Sequence, residues 1–235
     1  MPSHNTQQNP PQAYNQETWT REDKYHQSFL IPEDETPDFA VQNSNEKGLP
    51  DIAVSPLQGK LLYLISKSIA AKRILEIGTL GGYSAIWLSR SLPADGKLVT
   101  LELEDKHAKV ARENLNTAGE DVSDRVEIIV GSAHESLAQL KPEPQPFDLV
   151  FIDADEDHIL TYYTEGKRLV RSGGVIIVDN MVRRGGVSDP ANEEPANLKN
   201  RELLSRLKED AEVEATTIGT AGVKGYDGFT YIVKK

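Results

Sequence analysis

The stretch "ILEIGTLGGYSA", residues 74–85, joins an apolar strand to a helix through a turn that contains glycine. Gly78 and Gly82 are the informative positions, because glycine adopts positive φ and lets the backbone approach a ligand closely. A helix that starts near Gly82 would offer free N–H groups to an anion. The spacing differs from the G-x-G-x-x-G turn of dinucleotide-binding folds, which would have glycine where Leu80 and Tyr83 stand.

Strands and helices alternate along the chain from this turn onward. Strands are predicted at 73–78, 97–104, 125–131, 147–153, 173–180, 212–219 and 227–235. Helices are predicted at 60–71, 82–92, 105–119, 134–140 and 196–208, with one more ending near Leu169. This alternation predicts an α/β fold, a single Rossmann-like domain whose mostly parallel sheet carries helices on both faces. The last two strands have no helix between them and are expected to form a C-terminal antiparallel hairpin.

The N-terminal part is predicted to be a tail followed by a cover on the domain. Residues 1–17 are rich in Asn, Gln and Pro and are expected to be disordered or loosely attached. Residues 18–235 are expected to form one domain, in which residues 18–58 are a helical and loop cover. Large apolar residues at Trp19, Tyr25, Phe29 and Leu30 indicate an amphipathic helix, and the prolines of "IPEDETPDF" are expected to end it.

The composition excludes several classes of function. The 235 residues include 26 Lys and Arg against 37 Asp and Glu, a net charge of -11, which argues against nucleic acid as a partner. The chain has no cysteine, so disulfides, thiolate metal sites and cysteine nucleophiles are excluded. No apolar run is long enough to span a membrane, and the N-terminus lacks the pattern of a secretory signal. A cytoplasmic protein is expected, with mitochondrial import left open.

An acidic residue ends the strand that follows the glycine turn. Glu102 lies 24 residues beyond Gly78, at the carboxyl end of the second strand. An acid at this position commonly accepts hydrogen bonds from ribose hydroxyls. Turn and acid together indicate a cofactor that contains adenosine. The alternative is a tight strand-to-helix turn with a solvated glutamate.

Polar residues also end two later strands. The stretch "FDLVFIDADEDHIL" turns from an apolar run into acid at Asp153, and "GGVIIVDN" ends in Asp179 and Asn180. Ligands of open parallel sheets bind outside the carboxyl ends of the strands. Two carboxylates and one amide oxygen suit Mg²⁺, Mn²⁺ or Ca²⁺, with positions left for water or substrate. The alternative is that both aspartates cap loops or helices.

These motifs together resemble a known family. The stretches "ILEIGTLGGYSAIWLSRSLPADGKLVTLELEDKHAKVARENL", "FDLVFIDAD" and "GGVIIVDNMVRRGGVSDP" resemble the cation-dependent O-methyltransferases, which include caffeoyl-CoA and catechol O-methyltransferases. The resemblance runs from about Trp19 to the C-terminus. It implies a class I methyltransferase fold, the cofactor S-adenosylmethionine, a divalent cation, most simply Mg²⁺, and a small phenolic substrate with vicinal hydroxyls. It also implies a homodimer.

The resemblance assigns roles residue by residue. Metal binding falls to Asp153, Asp179 and Asn180, and Asp153 also lies beside the cofactor and the reacting atoms. Cofactor binding falls to the glycine turn, to the ribose acid and to flanking segments, namely Val54, Glu76, Gly78, Gly82, Ser84, Glu102, Ala133 and His134. A phenol has a pKa of about 10, and a bound dication would lower that pKa and orient the diol.

One position departs from the family pattern. Many members read Asp-Ala-Asp-Lys with the lysine as the general base, whereas this chain has Glu156 in that place. Three interpretations stay open: the metal alone acidifies the diol, another residue such as Glu156 itself or His158 accepts the proton, or activity is weak. Arg183 and Arg184 either meet an acidic acceptor or are solvated, and solvation is the more common case.

Two other function classes compete with methyl transfer. Asp153-Ala154-Asp155 is an Asp-x-Asp pair that suits a metal-dependent nucleotide-sugar glycosyltransferase, which would leave Glu76-x-Gly78 unexplained. A non-catalytic methyltransferase-fold module would bind cofactor without turnover, and Glu156 is its main support. No motif in the sequence identifies the acceptor.

Overall fold

The described strands form one sheet. The computed structural model describes residues 14–33 and 37–235. Seven strands join in the order β3-β2-β1-β4-β5-β7-β6. Their bounds are β1 Arg73–Ile77, β2 Lys97–Glu102, β3 Val126–Val130, β4 Phe147–Ile152, β5 Val170–Val178, β6 Val213–Gly222 and β7 Gly225–Lys234. The first five strands are parallel, whereas β7 pairs antiparallel with both β5 and β6. The predicted fold class and the C-terminal hairpin are therefore confirmed.

Helices cover both faces of this sheet. They are α1 Gln16–Leu30, α2 Asp38–Glu46, α3 Pro56–Ser68, α4 Tyr83–Ser91, α5 Asp105–Ala118, α6 Glu120–Ser123, α7 Ala133–Gln139, α8 Ile159–Leu169 and α9 Pro195–Glu209. Short 3₁₀ turns at Glu156–His158 and Arg183–Gly185 follow β4 and β5. Within the described ranges, no helix has the length and apolar character to cross a membrane. The cytoplasmic location stays a prediction.

Alternate strand residues supply two separate cores, because successive side chains of a strand point to opposite faces. One face packs with α3 and α4 through Ile74, Leu98, Leu149, Phe151, Val175 and Ile177. The other face packs with α7, α8 and α9 through Leu75, Ile77, Val99, Leu101, Val150, Ile152, Ile176 and Val178. Both faces of the central strands are thus buried, which explains their continuous apolar sequences.

Helix α1 forms as predicted, and its partly buried Trp19 packs against Tyr226, but its other large apolar residues are exposed. Asn15 caps the helix by accepting from the Thr18 N–H at 3.0 Å, so helical structure begins inside the predicted tail, at Gln16. Residues 1–13 lie outside the described residues. Tyr25 and Phe29 are 61% and 72% exposed, and no residue of α1 is buried. The division into a tail and one domain stays a prediction.

The segment between α1 and β1 contains more helix than the sequence analysis predicted. Helix α2 begins at Asp38, near the end of "IPEDETPDF", and continues to Glu46 over residues for which no helix was predicted. Pro37 stands at its N-cap, where a missing N–H costs nothing. Helix α3 begins at Pro56 rather than at Lys60. A capping box sets that start: the Ser55 hydroxyl accepts from the Gln58 N–H at 3.3 Å, and the Gln58 side chain accepts from the Ser55 N–H at 2.9 Å.

A glycine in α3 is required by its contact with an aromatic ring. A Cβ at Gly59 would lie 2.3 Å from Cδ1 of Trp87, whose side chain is buried. Alanine is favoured over glycine in a helix by about 1 kcal/mol, whereas overpacking a core costs about 1–3 kcal/mol. The ring contact should therefore outweigh helix propensity.

We expect the substitution Gly59→Ala to lower the free energy of unfolding by about 1–2 kcal/mol, measured by urea denaturation. Gly166→Ala in α8 is the matched control, because its Cβ would lie 3.2 Å from Cγ1 of Val150, the end of a side chain that can shift. A Gly59→Ala protein as stable as the wild type would contradict this packing.

Candidate active site

A cavity of about 850 Å³ opens at the carboxyl ends of β1, β2 and β4. The predicted residues that line it are Val54, Gly78, Ser84, Glu102, Ala133, His134, Asp153, Glu156, His158 and Asn180. Glu76, Gly82 and Asp179 are not in its lining. The cavity therefore lies at the carboxyl ends of the parallel strands, where the sequence predicted a ligand-binding site.

Contacts with α2 and α5 hold the glycine turn in place. Gly78 has φ +99° and Gly82 has φ +79°, both in the region that favours glycine. The side-chain amide of Asn114 donates to the Gly81 carbonyl at 2.8 Å and accepts from the Asn43 side chain at 2.9 Å. Gly82 caps α4 and packs against α5, where its Cβ would lie 3.3 Å from Cβ of Ala111. Gly82 therefore shapes the turn from outside the cavity.

Glu102 is buried beside the turn and accepts its backbone N–H groups. Its Oε2 accepts from Leu80 N at 2.7 Å and from Thr79 N at 3.2 Å. Its Oε1 accepts from Glu104 N at 3.0 Å and lies 3.3 Å from Nδ1 of His107. These N–H groups belong to the turn and not to the first turn of α4, so the anion site expected at the start of that helix stays a prediction. The same contacts fix the Glu102 oxygens at the cavity wall.

Glu76 is a charged residue in the middle of a buried strand. It is 0% exposed, and its Oε2 accepts from the Thr100 hydroxyl at 2.6 Å. Its Oε1 has no hydrogen-bond partner among the described residues. Burial raises the pKa of Glu76 to about 7, although the Ser84 and Thr100 hydroxyls act to lower it. A buried acceptor one residue before the cavity-lining Ile77 is suited to a polar ligand group.

The two predicted metal aspartates stand next to each other at the ends of adjacent strands. The Asp153 N–H donates to the Ile77 carbonyl at 2.9 Å, and the Asp179 N–H donates to the Ile152 carbonyl at 3.0 Å. Asp153 and Asn180 line the main cavity. Asp179 lines a smaller apolar cavity on the α3 side, with Val54 as a shared wall. The three predicted ligands thus surround one corner of the site.

This corner concentrates negative charge. Burial raises the pKa of Asp153 well above its ordinary value, and the charges of Asp179, Glu76, Glu156 and Asp227 raise it further. Burial also raises the pKa of Asp179 to about 6. The hydrogen bond from the Asn180 N–H lowers this pKa, and the charge of Asp227 raises it. Neither Asp153 nor Asp179 forms an ion pair with a described cation. Within residues 14–33 and 37–235, no group of three His, Cys, Asp or Glu residues is arranged to hold a metal.

Asp227 belongs to this corner and was missed by the sequence analysis. Its Oδ1 accepts from the N–H groups of Val182, Arg183 and Gly228 at 3.1, 2.8 and 2.8 Å. Its Oδ2 accepts from the Asn180 amide at 3.4 Å. The Asp-Gly pair in "GYDGF" was the available signal, because aspartate often accepts from nearby backbone N–H groups. Here those groups come partly from a loop 45 residues away, which sequence spacing does not reveal.

Glu156, which stands where the resemblance implies a lysine, carries an ion pair in this chain. The Glu156 carboxylate accepts from the Arg183 guanidinium, and both side chains line the cavity about 30% exposed. The pairing occupies the Glu156 carboxylate. Glu156 is therefore placed as a partner for Arg183 rather than as an unengaged base.

His158 is held by a neighbouring carboxylate. Its Nδ1 lies 2.6 Å from Oδ1 of Asp155, while the Tyr162 hydroxyl donates to Oδ2 of Asp155 at 2.6 Å. Burial raises the pKa of Asp155, but the hydrogen bonds from Tyr162 and His158 outweigh it and lower that pKa below the ordinary value. An ionised carboxylate only accepts hydrogen bonds, so Nδ1 of His158 is the donor to Asp155. All three residues line the cavity.

Sheet, glycine turn and acidic strand ends together define a class I methyltransferase architecture. A family model described as O-methyltransferase matches residues 34–235. The chain is 46% identical over 207 residues to a catechol O-methyltransferase of Mycobacterium tuberculosis, a match that spans 88% of this chain and 92% of that protein. It is 42% identical over 214 residues to a catechol O-methyltransferase of Niastella koreensis, across 91% and 96% of the two chains.

Solved structures agree with these relatives. The O-methyltransferase TomG of Streptomyces achromogenes, involved in tomaymycin synthesis and solved with S-adenosylmethionine, superposes with a TM-score of 0.88 at 46% identity over 94% of this chain and 98% of its own. A Bacillus cereus O-methyltransferase in complex with S-adenosylhomocysteine gives a TM-score of 0.89 at 44% identity over 94% and 100%. This chain belongs to the O-methyltransferase family. The predicted enzyme class, an S-adenosylmethionine-dependent O-methyltransferase, is confirmed.

Proposed function

We propose that this enzyme transfers a methyl group from S-adenosylmethionine to one hydroxyl of a vicinal-diol phenol, with a divalent cation bound at the acidic corner. The observation that carries the proposal is that one cavity joins the glycine turn and Glu102 to Asp153 and Asn180. A donor site and a hard oxygen site are thereby adjacent, as methyl transfer to a metal-bound oxygen requires. Two relatives named catechol O-methyltransferase support the same acceptor class.

The residues at the turn fit the donor. Glu102 would meet the ribose hydroxyls, sharing or replacing the bonds that its oxygens accept from Leu80 and His107. Ser84 and the buried, unpartnered Oε1 of Glu76 lie on the methionine side, where an ammonium group would supply the missing donor. Val54, Ala133 and His134 line the remaining wall and would enclose the adenine and the sulfonium region.

The residues at the acidic corner fit a cation. Asp153, Asp179 and Asn180 supply only oxygen ligands, a set that suits Mg²⁺ best and also accommodates Mn²⁺ or Ca²⁺. The absence of any described cation beside Asp153 and Asp179 leaves their charge without a counter-ion. When bound, the cation lowers the pKa of a phenol and orients the diol. Asp227 acts through Asn180 and the loop after β5, which it holds in place.

His158 is the proton acceptor in this proposal. Asp155 fixes its ring through Nδ1, which leaves Nε2 as the ring nitrogen that would accept the proton. Glu156 is excluded from this role because Arg183 occupies its carboxylate. Asp155 is engaged with His158 and Tyr162, so the Asp-x-Asp pair does not present two open carboxylates, as a glycosyltransferase would need.

The homodimer belongs to this proposal as well. Its support is the exposure of large apolar residues on α1 and α3, which include Tyr25, Phe29 and Leu64. The sedimentation coefficient of the purified chain tests it directly. A monomer at micromolar concentration would contradict it.

Turnover on diols with and without metal tests the function. With S-adenosylmethionine and Mg²⁺, we expect methylated product from catechol, caffeic acid or a dihydroxylated flavonoid. EDTA should lower the rate at least about 100-fold, and excess Mg²⁺ should restore it, because metal-ion stabilisation amounts to several kcal/mol. A monophenol is the matched control substrate and should react poorly. Transfer that is indifferent to EDTA would remove the metal from the proposal, and no product on any diol would point to another acceptor.

Substitution tests the role of His158. We expect His158→Ala to lower kcat by about 100-fold, since general base catalysis contributes about this much. Added imidazole should restore part of the rate. Glu156→Gln is the control that distinguishes the two candidate bases, and its kcat should change by less than about fivefold. Loss of turnover in Glu156→Gln with an unchanged kcat in His158→Ala would assign the base to Glu156.

A further inference from the structure

The loop that follows β5 places two successive arginines in a backbone conformation that side chains rarely adopt. Arg183 has φ +48° and Arg184 has φ +57°. Left-handed backbone is unfavourable for residues with a Cβ, and such conformations persist only where the surroundings impose them. The pair therefore marks a segment whose shape is enforced.

Contacts from Asp227 of β7 and Arg201 of α9 impose that shape. Asp227 accepts from the Val182 and Arg183 N–H groups at 3.1 and 2.8 Å. Arg201 of α9 donates to the Val187 and Gly186 carbonyls at 2.8 and 3.0 Å. Because these hydrogen bonds hold both ends of the segment, the backbone of Arg183 and Arg184 is fixed in position.

The cationic side chains that line the cavity differ in whether they form an ion pair. Its lysines and arginines are Arg183, Arg184 and Lys224. Arg183 pairs with Glu156, and Lys224 pairs with Asp51 at 2.7 Å. Arg184 makes no ion pair or side-chain hydrogen bond with any residue in the described part of the chain, and it is exposed. Among these three cationic side chains, only that of Arg184 is without an ion-pair partner in the described part of the chain.

The position of Arg184 determines which part of an acceptor it meets. Asp153 and Asn180, where the proposed function places the diol, line the same cavity as Arg184, and Arg184 is the most exposed of the three. An acceptor whose diol lies at Asp153 would have its remote end in the cavity that Arg184 lines. A guanidinium offers a planar pair of N–H donors that matches a carboxylate.

We infer that Arg184 selects acceptors that carry a carboxylate at the end remote from the diol, an inference that rests on the proposed function. The chain has a net charge of -11, so a carboxylate acceptor is disfavoured at long range and needs a local cation to be preferred. The reaction itself is unchanged: one phenolic oxygen gains the methyl group, the sulfonium becomes a thioether, and the phenolic proton leaves to the base.

Paired acceptors test this inference. Caffeic acid and its primary amide, which has the same size and no charge, are compared by their kcat/KM ratios. Wild-type enzyme should favour the acid, and Arg184→Gln should lower kcat/KM for the acid about threefold to fivefold, as expected for one partly exposed charge pair. The amide should change less than twofold. Arg184→Lys, which keeps the charge but not the planar fork, should fall between the two.

Binding measurements separate this inference from the proposed function. Isothermal titration of the acid and the amide into protein that holds S-adenosylhomocysteine and Mg²⁺ should show the same selective loss in Arg184→Gln. Arg206→Gln in α9, which removes an equal charge outside the cavity lining, is the matched control and should bind like wild type. Methylation of the amide with no acid preference, or an equal loss for both ligands, overturns the role of Arg184 and leaves the proposed function standing. Failure to methylate either acceptor refutes the proposed function, and the titration still decides whether Arg184 prefers the acid.

Discussion

Gly78 lies where β1 ends, and its missing side chain lets the end of β4 come against it. A Cβ at this position would lie 1.9 Å from the Asp153 carbonyl oxygen, and the residue has φ +99°. The Gly78 N–H donates to the Leu101 carbonyl of β2 at 3.0 Å, so one residue connects the ends of three neighbouring strands. The glycine turn and Asp153 are therefore fixed relative to each other. Any side chain here would separate the two halves of the site.

Negative charge is the second constraint on this edge of the sheet. Backbone N–H groups donate to Glu102 and Asp227. The Arg183 guanidinium pairs with Glu156, and side chains of His158 and Tyr162 hydrogen-bond to Asp155. Asp153 is left without such partners among the described residues. The fold thus neutralises the structural carboxylates locally and leaves the corner beside Asp153 as the place where a cation would be stabilised.

The strands and the glycine turn were predictable because their patterns are local. Continuous apolar runs such as that of β5 specify buried parallel strands, and the predicted cavity residues Gly78, Glu102 and Asp153 follow directly from where such strands end. Helix α2 was not predicted, because its position depends on contacts with Asn114, which is distant in sequence.

The side-chain pairings of the site could not be predicted for the same reason. The Arg183–Glu156 pair and the Asp227 contacts join segments that meet only once the sheet is assembled. The sequence showed that the family's lysine was replaced by Glu156, but it did not show what Glu156 contacts. Helix α1 was predicted as a helix, but the sequence did not show that Phe29 on it would be exposed.

Mn²⁺ binding, followed by electron paramagnetic resonance, tests the central claim most directly. The protein with S-adenosylhomocysteine should bind one Mn²⁺ per chain, and catechol labelled with ¹⁷O should broaden the Mn²⁺ signal because its oxygens coordinate the ion. Asp153→Asn and Asp179→Asn should each weaken the binding by tenfold or more, about the effect of losing one charged ligand. Absence of a stoichiometric Mn²⁺ site, or a signal that labelled catechol leaves unchanged, would contradict the account.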